Sequence, residues 1–182
     1  MARLAPLDLN ALTPEQKTVA DEIIAGPRGG LRGPFEPWLR SPGLADTAQR
    51  VGAHCRFGTS LPADISELAI LLTGKHWKAQ FEFWAHARLA KEAGLAEEII
   101  EAIRTDQAPP FTRAIERAVF DIVTEYFADN RVSDATYGRA IEALGEEGLV
   151  DVVGIVGYYG LVSMTLNIFE IGVPDGVDEP LS

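Results

Sequence analysis

The sequence predicts an all-α protein, a helical bundle whose long apolar helices also meet between subunits. Three observations carry this expectation. Apolar residues recur at helical spacing, as in Ile65, Leu68, Ala69 and Leu72, and again in Ile115, Val119, Ile122 and Phe127. Glycine, proline and short hydroxyl or acidic side chains fall between these stretches, where caps and turns are needed. No pair of alternating segments reads as a hairpin, and no internal repeat is visible.

Each element follows in order. Thr13 caps a first helix, with Pro14 at its first position and Gln16 completing a capping box. The segment "AGPRGGLRGPFEP" breaks regular structure and reads as a loop that wraps a surface or a neighbouring subunit. A second helix follows Ser41-Pro42 and ends near Gly58. A third begins after Pro62 and is weakened by Gly74. The fourth spans about residues 79–93 and stops at Gly94. "LAEEIIEAIR" is short and amphipathic, and the next helix ends at Asn130. Ser133 or Asp134 caps "ATYGRAIEAL". The last helix is long, apolar and ends near Gly172; the acidic tail "PDGVDEPLS" is expected to be poorly ordered. Residues 1–40 thus read as an N-terminal helix and wrapping loop, and 41–182 as the main helical unit of a single domain.

Composition narrows the function. A chain of 182 residues that is 47% hydrophobic can bury a sizeable core. Its 16 basic and 27 acidic residues give a formal charge of −11, which argues against nucleic acid or an anionic membrane as a partner. The single cysteine, Cys55, forms no intrachain disulfide and reads as a small buried side chain. The first residues lack the apolar core of a signal peptide. The most apolar run, "LVDVVGIVGYYGLVSMTLNIF", is broken by Asp151, Asn167 and glycines, so a buried helix is expected. A soluble, cytoplasmic protein fits.

The chemistry centres on residues 75–94, "KHWKAQFEFWAHARLAKEAG". Glu82 and His86 share a helix face at i and i+4, either as a surface ion pair or as a carboxylate that charges a buried imidazole. Glu67 lies in the apolar stretch "ISELAILL", where a carboxylate is costly unless paired. One straight helix would set it ~100° away from the His86 face, but a break near Gly74 to Lys78 would fold the two segments back on each other. His76, Glu82 and His86 form only a loose metal signature, and no metal is expected. Tyr159, Ser163 and Asn167 make a polar stripe on the last helix, either a pocket wall or hydrogen bonding within the core or an interface. No phosphate-binding or dinucleotide fingerprint is present.

The stretch "ELAILLTGKHWKAQFEFWAHARLAKEAGLAEEIIEAI" resembles the carboxymuconolactone decarboxylase family, which includes alkyl hydroperoxidase D; the resemblance covers about residues 62–104. In the peroxidase branch a glutamate precedes two cysteines and a histidine. On that spacing Glu67 and His86 take the glutamate and histidine positions, while Ala79 and Glu82 replace the cysteines. The resemblance therefore points to the decarboxylase branch, which also has a glutamate four residues before its histidine, and away from thiol peroxidase activity. It implies an alkyl hydroperoxidase D-like fold and a homotrimer or hexamer, with a dimer as the alternative. It also implies a cofactor-independent enzyme acting on a small unsaturated lactone or carboxylic acid by acid–base chemistry. The expected catalytic residues are His86, Glu67 and Glu82; the expected pocket residues are Trp77, Gln80, Phe81, Trp84, Tyr159 and Asn167. The competing reading is a non-catalytic helical oligomer that binds a small molecule or partner.

Overall fold

The computed structural model describes residues 2–181, and every regular element among them is a helix. In chain order these are α1 (Pro14–Ala25), α2 (Phe35–Trp38), α3 (Pro42–Phe57), α4 (Ala63–His76), α5 (Gln80–Glu92), α6 (Glu97–Arg104), α7 (Ala114–Asp129) and α8 (Asp134–Ile168). The capping box forms at Thr13, whose hydroxyl accepts from the Gln16 N–H while the Gln16 side chain accepts from the Thr13 N–H. Ser133 caps α8, and Asn130 closes α7 in the left-handed region at φ 57°. Gly145, at φ 70°, breaks α8 into a short N-terminal piece and the long apolar helix expected from the sequence.

The core is organised around α4, which packs against α5, α6, α7 and α8. Its side chains from Ile65 to Thr73 are buried all round apart from Glu67, so it behaves as a central core helix without an amphipathic stripe. The N-terminal segment is stitched into the same core by Ile23, Phe35, Trp38 and Leu39. The Trp38 indole N–H also donates to the Thr165 hydroxyl at 2.9 Å. Asp151, the acidic residue inside the apolar run, accepts from the Ser60 N–H and hydroxyl, each at 2.8 Å, and lies 3.1 Å from His54. It thereby ties the α3–α4 turn to α8.

One expectation holds in part and another needs correction. Although α8 is long and apolar, 56% of its most apolar window is buried within this chain. However, Val150, Val153, Met164 and Ile168 stay exposed along one face, beside the bare glycines 154 and 157. The C-terminal tail is not loose. Leu181 is buried, its N–H and C=O pair with the Gln80 amide at 2.9 and 2.8 Å, and Arg104 donates to the Pro180 carbonyl. An apolar anchor with its backbone satisfied outweighs the acidic, glycine-containing composition that suggested disorder.

Candidate active site

The turn between α4 and α5 creates the site. The Trp77 N–H still reaches the Thr73 carbonyl, Lys78 enters the left-handed region at φ 51°, and the Ala79 N–H bonds back to the Gly74 carbonyl at 2.9 Å. This reversal lays α5 against α4. The two helices pack in ordinary contact at Gly74, where a Cβ would sit 3.6 Å from the Phe83 N and 3.7 Å from the Glu82 side chain. Glu67, nineteen residues before His86, thereby comes face to face with it.

The imidazole lies between two carboxylates. Its Nδ1 is 2.6 Å from Glu67 Oε2, and its Nε2 is 2.9 Å from Glu82 Oε1. The two contacts differ. The Glu67 contact is a hydrogen bond, whereas Glu82 Oε1 sits off the N–H direction and has no aligned hydrogen-bond partner among the described residues. The surface-pair reading fails, since the side chains of His86 and Glu82 are 7% and 4% exposed. Burial opposes the imidazolium charge, but Glu82 and Glu67 together overcome it and raise the His86 pKa to about 9. At neutral pH the ring is therefore protonated, with a proton on each nitrogen. The Tyr159 ring meets it edge-on, with centroids 5.1 Å apart.

Above this triad lies a cavity of about 690 Å³, with Glu82 and His86 in its wall and Glu67 behind them. Phe81, Trp84, Tyr158, Tyr159 and Val162 also line it, and it opens to solvent past the exposed Arg32, Trp84 and Arg88. Of the expected pocket residues, Phe81, Trp84 and Tyr159 are thus in place. Trp77, Gln80 and Asn167 lie outside the lining. Trp77 is exposed, and its carbonyl accepts from the Asn167 side chain at 2.6 Å; Gln80 is committed to the tail. The turn that brings Glu82 inward directs Trp77 and Gln80 elsewhere.

The opposite wall was not anticipated. It comes from the glycine-rich loop, through Arg28, Gly30, Arg32 and Gly33, together with Arg56 and Phe57 at the end of α3. Gly33, at φ 62°, lies against Phe81; a Cβ there would meet the ring at 3.0 Å. Two arginines set among glycines were the available signal. Burial, foremost, lifts the Tyr158 hydroxyl to about 12 and Tyr159 well above its ordinary value, so both are protonated donors. Cys55 is 1% exposed, and burial raises its thiol to about 11. No group of three metal-ligating side chains is found among the described residues.

No protein-family model matches the chain, and no curated protein sequence matches it significantly. Its fold is nevertheless shared. A peroxidase-related protein from Ralstonia eutropha JMP134, described as an alkylhydroperoxidase AhpD core, superposes with a TM-score of 0.79 at 15% identity, over 96% of this chain and 93% of that one. A peroxidase-related protein from Silicibacter sp. TM1040 gives 0.77 at 10% identity, over 96% and 92%. The debrominase Bmp8, in complex with 2,3,4-tribromopyrrole, gives 0.76 at 12% identity, over 96% and 95%. The chain has the alkylhydroperoxidase D-like helical fold that its sequence predicts. At these identities the likeness concerns the fold, and function rests on the site.

Proposed function

We propose that this chain is a cofactor-independent enzyme of the carboxymuconolactone decarboxylase type. It moves a proton on a small unsaturated lactone or carboxylic acid. The observation that carries this reading is an imidazole held between two carboxylates, whose charges favour its protonated form, in the wall of a cavity open to solvent. A structural histidine would be sealed. In the decarboxylation form of the reaction, the bond to the departing carbon dioxide breaks and its electron pair moves onto a conjugated carbonyl. His86 then delivers its Nε2 proton to the carbanion carbon, and solvent restores it. Glu67 fixes the ring through Nδ1. Glu82 shares the wall with Nε2 and is placed to pass the proton on. Phe81, Trp84 and Tyr159 limit water around the reacting carbon. The same groups serve a lactone isomerisation or hydrolysis, and the debrominase neighbour supports chemistry on small rings in this fold.

Thiol peroxidase chemistry is disfavoured because Ala79 and Glu82 replace the two motif thiols and Cys55 is buried, mostly as thiol. The second reading, a binding oligomer, draws on the exposed stripe of α8, and self-association belongs to both readings. A soluble, cytoplasmic setting is part of the same proposal. The test is a panel of unsaturated lactones and acids, scored by thermal shift and turnover, with His86→Asn as control. Turnover by the wild type that the variant loses supports the enzyme. Turnover indifferent to His86 removes it from the reaction, and a thermal shift without turnover favours the binding oligomer.

A further inference from the structure

We propose that the α3 side of the cavity is an anion subsite. Arg28 and the Tyr158 hydroxyl, converging over Gly52, hold the carboxylate of an unsaturated acid while its far end meets Glu82 and His86. The position of the far end rests on the acid–base reading; the anion end stands on its own observations.

Arg28 Nη2 is buried and has no hydrogen-bond partner among the described residues. A guanidinium does not shed its proton, so this is a permanent charge with an unused donor. The rest of the group is held in place. Nη1 donates to the Gln49 carbonyl at 3.3 Å, and the guanidinium lies 5.1 Å from the Phe35 ring centroid. Its partner is positioned by a missing side chain. Gly52 lies inside α3, where glycine weakens the helix. A Cβ there would stand 2.1 Å from the Tyr158 hydroxyl and 2.7 Å from Arg28 Nη2. Both donors therefore occupy the room that the glycine leaves.

The local charge agrees. Arg28, Arg32, Arg56 and Arg88 line the cavity, against a single lining carboxylate, Glu82, which His86 offsets. Arg88 is paired with Glu92, whereas no ion pair to Arg28, Arg32 or Arg56 occurs among the described residues. This collection of cations stands out in a chain of net charge −11. Arg28 lacks an acceptor and Glu82 Oε1 lacks a donor. A ligand that satisfies both carries an anion at one end and an acidic C–H or hydroxyl at the other. The phenylalanines 35, 57 and 81 along the wall favour an organic body over a free inorganic anion.

The experiment is calorimetric titration of the full chain with trans-cinnamate, cinnamamide and inorganic phosphate. Cinnamate should bind about tenfold more tightly than cinnamamide, the scale of one charge-assisted hydrogen bond. Arg28→Met should abolish that preference, and Tyr158→Phe, which keeps the ring, should reduce it. Equal binding of acid and amide, or a preference retained in Arg28→Met, overturns the subsite. Phosphate binding more tightly than cinnamate overturns the organic acid as its ligand. His86→Asn should keep the preference, so a failure of the acid–base reading would appear as turnover indifferent to His86 while the binding pattern stands.

Discussion

Replacing His86 with asparagine should change how stability depends on pH. In the folded protein, burial opposes protonation of the ring, yet the Glu82 and Glu67 charges outweigh it and hold the proton up to about pH 9 instead of 6.5. The unfolded chain loses the same proton near 6.5. Between those values the folded state holds a proton that the unfolded state has released, so stability falls as pH rises. The contribution is complete below 6.5 and gone above about 9. That gap is worth ~3 kcal/mol, of which ~2–3 kcal/mol lies between about pH 7 and 10. Asparagine at this position does not titrate, and Cys55 and the tyrosines are common to both proteins. Urea unfolding followed by tryptophan fluorescence gives the two stabilities. The difference between wild type and His86→Asn should shrink by ~2–3 kcal/mol across that range. Parallel curves would refute the charge-sandwiched imidazolium.

Three further outcomes follow from the same geometry. Glu67→Gln should lower turnover of any substrate by ~10²–10⁴-fold and move the alkaline limb of its pH profile below about 9, because one of the two charges that hold the proton is gone; an unchanged profile would count against Glu67. Cys55→Ser should leave turnover within about twofold of wild type, and neither protein should show peroxide reduction driven by a dithiol, since a thiol at about 11 leaves roughly one part in ten thousand as thiolate at neutral pH. Light scattering at micromolar concentration should show an oligomer, and Val153→Glu, in the exposed stripe of α8, should dissociate it without unfolding; a monomeric wild type would refute this.

The local elements were legible because their signals are local. Thr13 with Gln16, Ser133 and Asn130 each announce a helix end through a bond or backbone angle decided within a few residues. The Glu67–His86 meeting was legible for another reason: a carboxylate in an apolar helix needs a partner, and the break before α5 supplied a way to reach one. Trp77 and Gln80 were misplaced because closeness in sequence was taken for closeness in space, and the reversal at Lys78 separates the two; Asn167, placed by its spacing from Tyr159 on α8, is instead committed to the Trp77 carbonyl. The Arg28 wall was not visible because it forms from the loop, Gly52 and Tyr158, which are far apart along the chain. The tail was misjudged because composition does not show that the Gln80 amide can satisfy the backbone of Leu181.

The two walls of the cavity have different origins. Glu67, Glu82 and His86 stand on α4 and α5, which are locked into the core, whereas Arg28, Gly30 and Gly33 belong to a loop outside it. Changes in that loop can therefore alter which molecule is admitted without disturbing the groups that handle the proton. For protein engineering this makes residues 26–34 the first segment to diversify: a library there samples new ligands on an unchanged chemical floor. Gly29 and Gly33 need to be held fixed because of their positive φ, Gly33 also for its contact with Phe81, and Leu31 for its packing against the core.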